Sequence, residues 1–140
     1  GFTLEFASGA GSSLYGTNVL PSVVIPAGGY YVIGNNASNP GVDHVVTPTS
    51  GLIQNGSPDA IGLRDPLGVM IDAISYEGDA GAPYIEGTGF TGGDDNNADG
   101  KVIARFPDGV DTDDNNADWI EYCAALVHRT WVFRIAMVMD

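Results

Sequence analysis

One position in five is a glycine or a proline: 20 Gly and 8 Pro in 140 residues, against roughly 12% in average proteins. Helix interiors expel both, glycine for its backbone entropy and proline for its missing N–H. A helical bundle or a coiled coil is therefore excluded. Apolar residues still make up 44% of the chain and charged ones only 16%, which is too apolar for disorder. At this length the pattern predicts one globular, all-β domain of many short strands and turns.

Alternation places the strands. Phe2, Leu4 and Phe6 alternate with Thr3 and Glu5, and after a Gly/Ser turn Leu14, Tyr15 and Val19 begin the return. Val23, Val24 and Ile25 form a β-branched run closed by Pro26, and Tyr30 to Ile33 follows as a strand. Val42 to Val46 reads as a short edge strand stopped by Pro48. The clearest unit is a hairpin, Asp59 to Arg64 and Val69 to Tyr76. Its connection, Asp65-Pro66-Leu67-Gly68, carries the residues a type I turn prefers. Gly78 to Gly93 has no periodicity, Lys101 to Phe106 alternates again, and Trp119, Ile120 and Tyr122 predict a final strand. Leu126 to Met139 lacks Gly and Pro and is compatible with a short C-terminal helix.

Eighteen acids face five Lys and Arg, a net charge of −13. Direct binding to a phosphate backbone or an anionic membrane surface is disfavoured by sign. Only Glu5, Glu77, Glu86 and Glu121 are glutamates; the other acids are Asp, which prefers turns, caps and metal loops. Glu121, His128, Arg129 and Arg134 interrupt the apolar stretch after Trp119, so no membrane span is expected there. Gly1 is not followed by a basic-then-apolar leader, so no targeting signal is expected. Cys123, the only cysteine, excludes an intrachain disulfide and predicts a buried, inert thiol.

One hexapeptide occurs twice, at residues 94–99 and 113–118, each reading Asp-Asp-Asn-Asn-Ala-Asp. Asp95, Asn97, Asp99 and Gly100 match the opening of a calcium loop, and Asp111, Asp113 and Asn115 repeat its alternate spacing. The closing bidentate glutamate is missing: the twelfth positions are Phe106 and Tyr122. The competing reading, which weighs more, gives these residues to Asx-turns and caps, with any calcium held loosely. No cofactor is expected beyond such weak calcium. Neither His44 nor His128 stands in a nucleophile context, and Gly87 to Gly93 contains no lysine and opens no βα unit. No catalytic residue is assigned. Tyr30, Tyr31, Phe106 and Trp119 are either an aromatic platform or packing, with packing the better account.

Several runs together resemble a bacterial lamin-tail domain. They are Gly1-Phe2-Thr3-Leu4, Ile25 to Ile33, Gln54 to Asp65, Ile71 to Gly78, and the closing Arg105-Phe106-Pro107-Asp108-Gly109 with Asp111 to Asn115 and Ala117-Asp118-Trp119. The resemblance implies an immunoglobulin-like antiparallel β-sandwich over residues 1–125, followed by an atypical tail at 126–140. Two strands that the family carries upstream are not in this sequence, so a fragment missing its first strands is expected. It also implies a non-catalytic accessory or binding module of a secreted or surface bacterial protein. Such a module would sit beside an extracellular nuclease or phosphoesterase domain and meet a surface or polymer ligand. The alternative is a calcium-dependent adhesion or spacer domain using the Asp/Asn loops.

Overall fold

The computed structural model describes residues 1–38, 41–51, 53–54, 56–93, 101–123 and 132–135. They form strands β1 (Thr3–Ser8), β2 (Ser13–Val19), β3 (Tyr31–Gly34), β4 (His44–Val45), β5 (Asp59–Arg64), β6 (Met70–Tyr76), β7 (Lys101–Arg105), β8 (Trp119–Cys123) and β9 (Val132–Ile135). A one-turn helix, α1 (Asn115–Asp118), leads into β8. The protein is all-β, and its strand pairs are antiparallel except β3 with β4.

The largest sheet has the order β2-β1-β5-β6. Because side chains alternate across a strand, its register decides two faces. Leu4 pairs with Leu63, Phe6 with Ile61, and Ile61 with Ile74, so these side chains share one face. With Tyr76 they form the main core, closed by Leu20, Ile33, Val46 and Phe90 and by the partly buried Ile103 and Trp119. Ile33 comes from β3, Ile103 from β7, Trp119 from β8 and Phe90 from the 78–93 segment, while Leu20 and Val46 directly follow β2 and β4. On the opposite face Ala7 and Ala60 pack with Ala80 and Tyr84. The aperiodic Gly78 to Gly93 stretch thus folds back as a cover. Burial on both faces explains why β5 is buried from Asp59 to Leu63.

Gly62 makes that cover fit. A Cβ there would lie 2.7 Å from Met70 Cε and 3.0 Å from Tyr84 Cδ1. Above it Glu5 Oε2 accepts from Tyr84 Oη at 2.8 Å and from Arg64 Nε at 2.7 Å, tying the cover to β1 and β5.

The β5–β6 hairpin has the expected turn. Asp65 Oδ1 accepts from the N–H groups of Leu67 and Val69, both at 2.8 Å, and Gly68 sits at φ +84°. Three expectations change. Val23 to Ile25 forms no strand: Val24 is 94% exposed, and Pro21 and Pro26 bracket the run and remove ladder donors. The 42–46 strand is shorter, with only His44 and Val45 pairing Ile33 and Gly34. The C-terminal helix is not found in the described residues 132–135, which form β9 against β3. Val132, Phe133 and Ile135 favour a strand once an open edge is within reach. Trp119 to Cys123 is consequently not the last strand.

Candidate functional site

The outer edge of β6 is where a sheet would recruit another strand, and here side chains close it. Asn115 does most of this. Its Oδ1 accepts from the N–H of Ser75 at 2.9 Å and of Glu86 at 3.3 Å, and its Nδ2 donates to the carbonyl of Ala73 at 2.8 Å. Glu86 Oε1 accepts from the N–H of Ala73 at 3.0 Å, and the N–H of Phe90 donates to the carbonyl of Ser75 at 2.8 Å. An amide carries both a donor and an acceptor, so one buried Asn can stand in for a strand residue.

Helix α1 holds that amide in place. Asp114 caps it, accepting from Asn116 N–H at 3.0 Å and from Thr88 N–H at 3.3 Å. Asp118 accepts from Thr112 N–H at 2.9 Å and from Thr112 Oγ1 at 2.7 Å. Burial works against its charge, yet the Thr112 hydrogen bonds outweigh this and lower its pKa.

Arg105, at the end of β7, reaches into this region. Its Nη2 lies 2.9 Å from Asp72 Oδ1 and 3.8 Å from Glu86 Oε2, and its Nη1 lies 2.9 Å from Asp111 Oδ2. Its guanidinium also sits over the Trp119 ring, 5.0 Å from the centroid. Four segments meet there: β6, the 78–93 cover, β7 and the turn before α1. Burial raises the Glu86 pKa from 4.5 to about 7, reinforced by the charge of Asp72. Asp72 is raised as well, first by burial, against the pull of Arg105. Burial disfavours the charge of Arg105, but Asp72 and Asp111 prevail and raise its pKa.

The described calcium candidates, Asp111, Asp113 and Asn115, do not share one site. Asp95, Asn97 and Asp99 lie outside the described residues. Asp111 contributes one oxygen to Arg105 and the other to the N–H of Asp113 at 3.2 Å. Asp113 is exposed at φ +56°, and the Asn115 amide is spent on β6. The carboxylates that do converge are Asp72, Glu86 and Asp111, with ligand oxygens within 4.8 Å of one another. Arg105 already supplies a cation to them.

Beside this cluster a cleft of about 510 Å³ opens between the large sheet and β7-β8. Leu4, Ile61, Leu63 and Ile74 form its floor, and Ala104, Trp119 and Ile120 a wall. Tyr30, Phe106 and Tyr122 stand at its rim, 45, 59 and 56% exposed. Tyr30 donates to Asp108, another lining residue. Asp72 and Arg105 border the cleft; Glu86 is not part of its lining. His44 lies away from it, stacked on Tyr31 at 6.5 Å.

No spacing or motif in the sequence singles out Asp72, Glu86 and Arg105 as a cluster. A signal existed, because cations are scarce among eighteen acids. Three cations meet a glutamate: Arg64 with Glu5, Lys101 with Glu121, Arg105 with Glu86. Comparisons with protein-family models, curated proteins and solved structures find no match to this chain. No helix among the described residues is long and apolar enough to cross a membrane.

Proposed function

We propose that the chain is a non-catalytic binding module of a secreted or surface bacterial protein, with an immunoglobulin-like sandwich as its scaffold. The observation that carries this reading is a division of labour. The clustered polar groups are engaged in holding strands together, while the apolar cleft with its aromatic rim is left open. Its volume falls within the roughly 300–1,000 Å³ of ordinary ligand sites. Glu86, the group whose pKa best suits acid–base chemistry, accepts a β6 N–H and stands outside the cleft lining. The lamin-tail resemblance supports the same role, beside a catalytic neighbour in a longer protein.

The test is hydrolysis by the purified chain of phosphomonoesters and phosphodiesters, with magnesium or calcium present. No turnover above buffer is expected. Turnover abolished by Glu86→Gln would overturn the reading. A calcium-dependent spacer is the second reading, favoured by the convergence of Asp72, Glu86 and Asp111. It requires a saturable heat of binding and a raised melting temperature at millimolar calcium. Neither is expected, because Arg105 occupies those oxygens.

A further inference from the structure

The open cleft and the strand beside it share a feature that neither has alone. The N–H of Phe106 donates to the carbonyl of Asp118 at 2.8 Å, and Ala104 pairs with Ile120. In an antiparallel ladder this phase turns the main chain of Val102, Ala104 and Phe106 toward β8 and that of Ile103 and Arg105 outward. Among the described residues the outward N–H and C=O groups of Ile103 and Arg105 have no partner, whereas the edge of β6 is closed by Asn115, Glu86 and Phe90. Among the described residues one edge is thus protected and the other open, and Ala104, Arg105 and Phe106 beside that open edge line the apolar groove.

We infer that the cleft docks an extended segment of a partner protein, alternating in apolar side chains and basic at its ends, which adds as a strand to the free edge of β7. The inference rests on the binding-module reading. Strand addition takes affinity from main-chain hydrogen bonds and specificity from alternate side chains in pockets. Here Ile103 and Arg105 offer the main chain, and the cleft's accessible apolar lining, Ala104 and Ile120 with the exposed Phe106 and Tyr122, receives every second side chain. The basic ends follow from charge. Asp108 lines the cleft with no cation beside it among the described residues, while the one lining cation, Arg105, is engaged by Asp72 and Asp111. The whole chain carries −13, so a second copy is repelled while a basic segment is drawn in.

The experiment titrates the full chain with a short synthetic peptide of alternating valine and threonine, capped by lysine at each end. A control peptide replaces the lysines with glutamates. Calorimetry should give saturable binding of the lysine peptide with a Kd below about 1 mM, at least tenfold tighter than the control. Amide hydrogen exchange should slow at Ile103 and Arg105. Phe106→Ser and Tyr122→Ser, both at well-exposed positions, should each weaken binding several-fold without lowering the melting temperature. Equal binding of both peptides, unchanged exchange at Ile103 and Arg105, or no saturable binding by the folded chain would overturn the inference. So would self-association that protects those same amides, which would give the groove to a second copy. Failure here by a chain that hydrolyses nothing leaves the module reading standing; hydrolysis defeats that reading whatever the peptide does.

Discussion

Glu86→Gln should make the protein more stable at alkaline pH and nearly indifferent to the change at acid pH. The folded state holds the Glu86 proton up to about pH 7, whereas a solvated glutamate releases it near 4.5. Below 4.5 both states are protonated and the group contributes no pH dependence. Between 4.5 and 7 the folded chain binds a proton that the unfolded chain has lost, so stability falls as pH rises. Above 7 the loss is complete. A rise from 4.5 to about 7 corresponds to about 3 kcal/mol, with a slope of at most about 1.4 kcal/mol per pH unit. The side chain is 17% exposed, so solvent screens little of this.

Asp72 shares the cluster and is raised too, and the −13 chain repels itself more as pH climbs. The informative quantity is therefore the difference between wild type and variant. Glutamine keeps an acceptor for the Ala73 N–H and adds no charge. Urea unfolding at intervals from pH 4.5 to 8.5 should show the variant gaining about 2–3 kcal/mol over wild type across that range. Parallel pH profiles for the two proteins, or a variant weaker at pH 8 than at pH 5, would refute the burial argument.

Three further outcomes follow from the same contacts. Arg105→Met leaves Asp72 and Glu86 without their cation and should cost about 3–5 kcal/mol by urea denaturation. Asn115→Ala strips Ser75 N–H and Ala73 C=O of their partners and should cost about 2–4 kcal/mol, while Asn116→Ala, exposed on the same turn, should stay within about 1 kcal/mol of wild type. Gly62→Ala drives a methyl into Met70 and Tyr84 and should lower stability by about 1–3 kcal/mol, read in the same assay.

What the sequence reveals depends on how local the cause is. The β5–β6 hairpin is legible because alternation and turn chemistry sit within eighteen consecutive positions, Asp59 to Tyr76. Leu4 and Phe6 announce β1 for the same reason. The 78–93 cover is not legible, since its buried residues Ala80, Tyr84 and Phe90 answer to the sheet beneath and follow no period of their own. Val23 to Ile25 misleads in the opposite sense: its β propensity is strong, but no edge receives it. The acidic repeat is conspicuous as letters, yet its described copy shows three neighbours with unlike tasks. Asp114 caps, Asn115 replaces a strand and Asp118 binds Thr112. Spacing alone cannot separate these, because Asx side chains serve a turn and a metal equally well.

The distribution of cations completes the argument. Arg64 joins β5 to Glu5 on β1, Lys101 joins β7 to Glu121 on β8, and Arg105 joins β7 to β6, the cover and the turn before α1. Of five basic residues, the three whose side chains are described thus stand at seams between segments. The acids they hold are withdrawn from ligand chemistry, and the excess that remains sets a negative field around whatever surface is open. That surface is apolar and lies beside β7, whose outer edge has no partner among the described residues. Such a combination selects its partner by main-chain pairing and sign of charge, which is why the lysine-capped and glutamate-capped peptides must differ if the cleft is a binding site.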